Sequence, residues 1–206
     1  MSTNSLTVGS YDAVPTFLLQ RDLRAMYEDL QIINYPDPRL RKVSLPVETF
    51  DDALKALVAR MFQLMREHRG VGLAAPQVGQ NIRLFVMNHS GDPQDDRVYI
   101  NPELTDAEGA EEGEEGCLSL PGINAKIVRD KKLRIRAKGL DGHEIDQVET
   151  GYLARVWQHE TDHLNGTLIT DRMGAVAKMV ARKKLIELEE AFASAQGRTK
   201  PDKKRM

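Results

Sequence analysis

The sequence has little cysteine, no long apolar run and almost no net charge. Cys117 is the single cysteine among 206 residues, so no disulfide can form within the chain, and this favours a reducing compartment. No apolar stretch approaches the length that spans a bilayer. The start of the chain lacks the basic segment and apolar run of a secretory signal, and four acidic residues disfavour a transit peptide: Asp12, Asp22, Glu28 and Asp29. We therefore expect a cytoplasmic protein with no membrane partner.

The charge and length restrict the class of protein further. The 29 lysines and arginines nearly balance the 31 aspartates and glutamates, giving a formal net charge of −2. Such a balance indicates no particular charged partner, and we expect no DNA binding. The length is sufficient to bury a hydrophobic core, and it indicates one domain with an extension.

Three amphipathic stretches predict helices, and they cover residues 51–68, 152–165 and 175–195. Asp51 and Asp52 suit the N-terminus of the first helix, and Gly70 is expected to end it. Thr150 is a candidate cap for the second helix, and Gly166 is expected to follow its end. The predicted apolar positions of the last helix are Val176, Met179, Val180, Leu185, Leu188 and Phe192.

Strands are predicted over three stretches, 82–87, 98–100 and 123–137, with an acidic, glycine-rich loop over 106–116. Most strands lie between helices instead of alternating with them, which favours an α+β fold. We expect mostly antiparallel sheets around a central helix that carries residues 159–163. An N-terminal helix and a long C-terminal helix complete the predicted fold.

The second predicted helix contains the motif His-Glu-Thr-Asp-His at His159–His163. Residues four apart lie on the same face of a helix, so the two imidazoles can bind one cation. Glu160 can then reach a water molecule without taking a ligand position, as the general base does in HExxH hydrolases. Two solvated surface histidines are the alternative, but four apolar neighbours predict that this helix is buried: Leu153, Val156, Trp157 and Leu164.

A catalytic metal site also needs a third protein ligand and an open position. Downstream of His163 the sequence offers no histidine or cysteine, and only acidic residues are available there: Asp171, Glu187, Glu189 and Glu190. Upstream, Cys117 offers a thiolate, which is a strong ligand for a borderline-soft divalent metal. A buried core thiol is the alternative for Cys117. The flanking glycine and acidic segment are unlike a core strand and favour the ligand.

A segment rich in glycine and alanine runs from Gly70 to Gln77. Its small residues let a ligand approach the backbone closely, and the Gln77 amide could hold a developing oxyanion. A glycine turn at a helix end, followed by an exposed glutamine, accounts for the same residues. This segment therefore identifies no site by itself.

Together the three segments resemble the signature motifs of the peptide deformylase family, which are G-x-G-φ-A-A-x-Q, E-G-C-φ-S and H-E-x-D-H. They occur in that order, at Gly70–Gln77, Glu115–Ser119 and His159–His163. Residues 35–43 also resemble the start of that family. The resemblance extends from about Ile33 to the end of the C-terminal helix. Within the family, the sequence is similar to the bacterial type-1 branch.

The resemblance implies that Cys117, His159 and His163 hold one divalent metal ion and that Glu160 is the catalytic acid/base. It implies Fe²⁺, with Zn²⁺, Ni²⁺ or Co²⁺ as substitutes, whereas a site of two nitrogens and one sulfur alone would suggest zinc. The implied reaction is hydrolysis of the formyl group from the N-terminal methionine of new polypeptides, which releases formate. The implied substrates are N-formyl-methionyl nascent peptides.

The resemblance also implies an oxyanion site and a peptide site. The oxyanion would contact the Gln77 side chain and the Leu118 backbone N–H, and the peptide would lie extended along Val71 and Gly72. For the methionine pocket the candidates are Val71 and Val156, which lies about one turn before His159.

Two residues near this pocket carry expectations of their own. Arg155 either extends to solvent or touches the peptide, and extension to solvent is the favoured interpretation. Gly113 stands where some relatives have a bulky apolar pocket residue, which leaves the shape of the methionine pocket open.

The domain boundaries expected from the sequence are a partly ordered extension over 1–31, a catalytic domain over 32–196 and a basic, flexible tail over 197–206. The last helix and the tail are rich in lysine and arginine. Those charges are equally compatible with binding to the ribosome and with a solvated, solubilising surface.

Two other functions remain open at this point. A metalloprotease that cleaves internal peptide bonds would need a third ligand after His163, and Cys117 would then have no role. A non-catalytic protein that binds the ribosome would need neither the ligands nor Glu160.

Overall fold

The computed structural model describes residues 25–197. The predicted extension up to residue 24 and the predicted tail from residue 198 lie outside the described residues. The described part contains four α-helices, which are α1 (Asp52–Glu67), α2 (Gly151–Leu164), the short α3 (Ile169–Arg172) and α4 (Ala175–Ala195). It contains seven strands, which are β1 (Gly72–Ala74), β2 (Leu84–Met87), β3 (Arg97–Glu108), β4 (Glu111–Gly116), β5 (Asn124–Arg129), β6 (Lys132–Lys138) and β7 (Glu144–Thr150).

The strands form two antiparallel sheets. Five strands pair in the order β1-β2-β3-β6-β7, while β4 and β5 form a separate hairpin. Strand β3 is long and irregular, because its pairing with β6 shifts register twice. Asn101 and Asp106 both adopt positive φ near these shifts, as expected where a bulge bends a strand. The predicted α+β class with mostly antiparallel sheets and a long C-terminal helix is confirmed.

The five-stranded sheet is covered by a helix on each face. Alternate residues of a strand point to opposite faces, and all four residues of β2 are buried. Leu84 and Val86 pack in the cluster that contains α1, whereas Phe85 and Met87 pack in the cluster that contains α2. The sheet therefore holds α2 rigidly between itself and the β4–β5 hairpin, whose side chains build a third cluster with α4.

The end of α1 differs from the sequence prediction. The helix starts as predicted, because the Asp51 side chain accepts a hydrogen bond of 2.8 Å from the Leu54 N–H. It ends at Glu67, and the left-handed residue that follows is Arg69, with φ of 56°, instead of Gly70. A Cβ at Gly70 would lie 2.7 Å from Leu118 Cδ1, so a larger residue there would require the Leu118 side chain to move.

Three strands and one helix face also differ from prediction. The acidic segment predicted as a loop contains strand β4, and no strand was predicted at the positions of β1 and β7. The C-terminal helix has the predicted bounds, but its only buried residue is Ala181. Three of its predicted apolar positions are exposed, namely Val176, Met179 and Val180. Within residues 25–197, no helix combines the length and the apolar character needed to cross a membrane.

Candidate metal centre and active site

Helix α2 is the structural base of the site. Every residue from Ala154 to Leu164 is buried, so the motif residues lie in the protein core, as the apolar neighbours predicted. Trp157 anchors the opposite side of the helix to the sheet, with its ring 5.6 Å from that of Tyr99. Thr150 is the N-terminal cap residue, but its side chain makes no capping hydrogen bond.

Cys117, His159 and His163 form a compact group whose potential ligand atoms all lie within 4.8 Å of one another. Cys117 Sγ lies 3.3 Å from His163 Nε2. Cys117 comes from the loop after β4, so the hairpin and the helix each supply part of the group. In residues 25–197 this is the single such group of three or more metal-binding side chains. A thiolate and two imidazoles suit a divalent transition metal.

Asp171 is the first in sequence of the alternative acidic ligands after His163, and it lies outside this group. Its carboxylate pairs with Arg41 and accepts a hydrogen bond of 2.8 Å from the Leu168 N–H. The side chain that completes the group with the two histidines is thus the upstream thiol, which does not fit the predicted requirement of a metalloprotease that cleaves internal bonds.

Gln77 is oriented toward the thiol by the backbone of its own segment. Its Oε1 accepts a hydrogen bond of 2.8 Å from the Ala74 N–H. This leaves Nε2 facing Cys117 Sγ at 3.6 Å and Ser119 Oγ at 3.3 Å. Gln77 is 1% exposed, which excludes the alternative of an exposed glutamine after a glycine turn. Its amide is a fixed donor beside the metal-binding group.

Glu160 faces the group from the helix without joining it. It is 3% exposed, and burial raises the pKa of its carboxyl to about 7, although His159 opposes the shift. Its Oε2 has no hydrogen-bond partner among the described residues. A buried carboxylate with an orphaned oxygen and a pKa near neutrality can both take and return a proton.

Glu115 fixes the orientation of His159. Its Oε2 lies 3.0 Å from His159 Nδ1, and Arg129 donates to both of its oxygens at 2.9 Å. Burial alone would raise the pKa of Glu115, but Arg129 and His159 outweigh it and hold that pKa far below its usual range. A permanently ionised carboxylate on Nδ1 directs Nε2 of the same ring toward Cys117.

The two histidines differ in their surroundings. Burial lowers the pKa of His159, but hydrogen bonds to Cys117 and Glu115 outweigh burial and raise it well above its usual range. Burial and the neighbouring His159 and Arg129 lower the pKa of His163. His163 Nδ1 has no hydrogen-bond partner among residues 25–197.

The ion network continues behind the helix, and sequence reasoning missed it. Arg129 Nη1 also donates to Asp162 Oδ2 at 2.5 Å, and Arg172 donates to both oxygens of Asp162, at 2.6 and 3.1 Å. Arg129 thereby links β5 directly to α2 through Asp162, and indirectly through Glu115, which contacts His159. Arginines that alternate with apolar residues on a strand are typical of solvated charges, so no local pattern identifies Arg129.

The predicted site residues surround one cavity of about 540 Å³. Eight of the nine line it, and they are Val71, Gly72, Gln77, Cys117, Leu118, Val156, His159 and Glu160. The ninth, His163, is 1% exposed and lies beneath the cavity. Gly72 is required by packing, because a Cβ there would lie 2.8 Å from Glu160 Cδ.

Arg155 lies elsewhere than predicted. It does not extend to solvent but is 8% exposed, with Nη1 bonded to Glu115 Oε1 and to the Ile127 carbonyl, both at 2.8 Å. The buried carboxylate and carbonyls satisfy the guanidinium, so it does not need bulk water. Gly113, in strand β4 of the hairpin, lies directly against this guanidinium.

A thiolate and two imidazoles beside a buried glutamate with one unpaired oxygen, set in a cleft of an α+β scaffold, define a metal-dependent hydrolase. The profile of the polypeptide deformylase family matches residues 29–179, and the chain belongs to this family. It is 45% identical over 157 residues to a peptide deformylase from Pseudomonas aeruginosa, covering 76% of this chain and 94% of that relative.

Solved structures agree with the sequence comparison. A peptide deformylase from Plasmodium falciparum superposes with a TM-score of 0.78 at 39% identity, covering 80% of this chain and 98% of that one. One from Legionella pneumophila has a TM-score of 0.74 at 42% identity, covering 82% and 98%.

Proposed function

We propose that the chain hydrolyses the N-formyl group of N-formyl-methionyl peptides and releases formate and a free N-terminal methionine. The observation that carries this proposal is the buried Glu160 carboxylate, whose Oε2 has no partner among the described residues, beside the Cys117, His159 and His163 group at one cleft. Membership of the deformylase family supports it.

The side chains present fit a bound divalent ion. The three ligand atoms converge, Glu115 fixes His159 through its second ring nitrogen, and Glu160 keeps an oxygen free of protein partners. When bound, the ion supplies Lewis acidity, which makes a water molecule acidic enough to act as a nucleophile near neutral pH. We propose Fe²⁺ as the physiological ion, with Zn²⁺, Ni²⁺ or Co²⁺ as substitutes.

The roles of the chain's own residues follow from their positions. Glu160 accepts the proton of the attacking water and later gives it to the departing amine. Gln77 Nε2, which faces the thiol, and the Leu118 N–H stabilise the negative charge that develops on the formyl oxygen. Gly72 leaves room for both Glu160 and the extended peptide.

The rest of the cleft holds the substrate. Val71 and Val156 both line it, and both pack on the cluster between α2 and the sheet. We assign them to the pocket of the methionine side chain, because an unbranched apolar side chain requires apolar walls. The backbone of Val71 and Gly72 runs along the cleft and suits an extended peptide.

A substrate comparison tests this function. The metal-loaded protein should release formate from a formyl-Met tripeptide. It should not cleave a peptide of the same internal sequence whose two ends are blocked. Cleavage of internal bonds would instead indicate a metalloprotease. Tight binding of the formyl peptide without formate release would indicate a non-catalytic binder.

We further propose that residues 32–196 form the catalytic unit, that the protein works in the cytoplasm, and that α4 with the basic tail contacts the ribosome. Exposed apolar and basic side chains alternate along α4, and they include Val176, Lys178, Met179, Val180, Arg182 and Lys183. A surface of this composition suits ribosomal RNA and protein, with binding that weakens as salt is added.

A further inference from the structure

The cleft has a polar end, and Arg155 forms it. Arg155 lines the same cavity as the metal-binding group and precedes His159 by four residues on α2. Residues at this spacing lie on one helix face, about 5–6 Å apart. A side chain whose first atoms are fixed near His159 can therefore extend along the helix to Arg155.

The guanidinium of Arg155 is held in place by its partners. Nη1 donates to Glu115 Oε1 and to the Ile127 carbonyl, and Nη2 donates to the Glu111 carbonyl, all at 2.8 Å. The side chain is 10% exposed. Nε is the donor in none of these bonds. A guanidinium fixed in this way presents its remaining N–H groups from a constant position.

Gly113 provides the space that this guanidinium needs. A Cβ at Gly113 would lie 2.8 Å from both Cζ and Nη2 of Arg155 and 2.9 Å from Nε. The backbone φ of Gly113 is not in the left-handed region, so contact with Arg155, not backbone conformation, makes a larger residue unfavourable. Two separate elements, β4 and α2, thus cooperate to place a donor group at the cleft.

We propose that this polar end lets the enzyme deformylate N-formyl peptides that begin with methionine sulfoxide as well as methionine. The inference rests on the proposed function and extends its substrate class. The reaction is the same hydrolysis, in which water adds to the formyl carbon and the C–N bond breaks to give formate and the amine. The sulfoxide oxygen is a strong acceptor at the end of an unbranched chain, and Arg155 supplies the donor.

An apolar pocket would reject the sulfoxide, because burying an acceptor without a donor is unfavourable. The experiment compares kcat/KM for three formyl tripeptides that differ only in the first residue: methionine, norleucine or methionine sulfoxide. In the metal-loaded full chain, the sulfoxide peptide should be hydrolysed within about tenfold of the norleucine peptide. In Arg155→Leu, the ratio of sulfoxide to norleucine should fall by at least about tenfold.

The ratio is measured within each variant, so a change in metal content or in the orientation of His159 affects both substrates alike. Gly113→Ala provides a second test if Arg155→Leu fails to fold, because the added Cβ displaces the guanidinium. It should lower the same ratio. Arg172→Leu is the matched control, since Arg172 joins the same ion network through Asp162 but does not line the cavity. The ratio should not change in this control.

Two results would overturn the inference. One is rejection of the sulfoxide peptide by the unmodified chain by more than about a hundredfold relative to norleucine. The other is an unchanged ratio in Arg155→Leu and Gly113→Ala. A failure to hydrolyse any of the three peptides would contradict the proposed function instead, and the two failures are therefore distinguishable.

Discussion

At the scale of single residues, Glu160 and Cys117 should separate catalysis from metal binding. Glu160→Gln removes the proton acceptor but no ligand, so the variant should retain its metal while kcat falls by about two to four orders of magnitude. Cys117→Ala removes one of the three proposed ligands, so metal and activity should be lost together. Metal analysis and formate release on the same samples distinguish the two. Full metal occupancy in Cys117→Ala would refute the ligand assignment.

The space beside Gly72 gives a second prediction at this scale. In Gly72→Ala the new Cβ would lie 2.8 Å from Glu160 Cδ, so the carboxylate has to move. We expect kcat/KM to fall by roughly a hundredfold, because small displacements of a catalytic group are costly, while the circular dichroism spectrum stays unchanged. Gly174→Ala is the control, since nothing lies within 4 Å of a Cβ there. Equal kcat/KM in both variants would show that the close approach of residue 72 to Glu160 does not affect catalysis.

The residues to which we assign chemical roles were predictable from sequence, and those that hold them in place were not. A histidine pair four residues apart fixes its own geometry on a helix, so His159, Glu160 and His163 needed no tertiary information. Arg129 lies 33 positions before Asp162, and no local pattern reports that pairing. Arg155 was misread for the same reason, because its acceptors come from β4 and β5.

At the scale of elements, Arg129 links β5 to α2 directly through Asp162 and indirectly through Glu115 and His159, and its removal should destabilise the fold. Its side chain is 4% exposed, as is that of Glu115, and Asp162 is 11% exposed. Arg129→Leu takes a buried ion-pair partner from two carboxylates, which keep Arg155 and Arg172 as partners, and we expect a loss of about 3 kcal/mol in the free energy of unfolding.

Urea unfolding in excess chelator measures this loss without a contribution from bound metal. Lys132→Leu is the comparison, because Lys132 pairs with Glu108 on the surface, with side chains 42% and 64% exposed. That variant should lose at most about 1 kcal/mol. If both variants unfold at the same urea concentration, the link between β5 and α2 does not stabilise the protein.

The three long helices were predicted to within a few residues, whereas the short α3 and the strands β1, β4 and β7 were missed. Periodicity of 3.6 residues is a local property, so α1, α2 and α4 follow from the sequence. Strand β4 reads Glu-Glu-Gly-Glu-Glu-Gly, a composition that disfavours strands by itself. It forms because β5 pairs with it along its whole length and because Glu115 meets Arg129, which are tertiary effects.

At the scale of the whole molecule, the proposed ribosome contact predicts a separation between binding and catalysis. Truncation after Ala195 removes five basic residues, Arg198, Lys200, Lys203, Lys204 and Arg205. It should weaken binding to purified ribosomes at low salt, while hydrolysis of a short formyl peptide stays nearly constant. Co-sedimentation over a salt series measures the difference. Equal binding with and without these residues would show that the tail does not contribute to ribosome binding.

The helix needs its own test. Reversing the charges at Arg182 and Lys183 should reduce ribosome binding further, because both lie on the exposed part of α4. The matched control reverses the charges of Lys126, in β5, and Lys131, between β5 and β6. This control should leave ribosome binding unchanged. A similar loss in both double variants would indicate nonspecific attraction between charges.

The single cysteine of the chain has a practical consequence. Cys117 is partly accessible, and if it holds the metal, alkylation competes with the ion for one sulfur atom. A thiol-specific reagent can therefore add at most one label per molecule, and the labelled fraction counts the molecules that lack metal. Mass spectrometry of the intact chain would thus give the occupancy of the active centre directly, without purification of the loaded form and without any substrate.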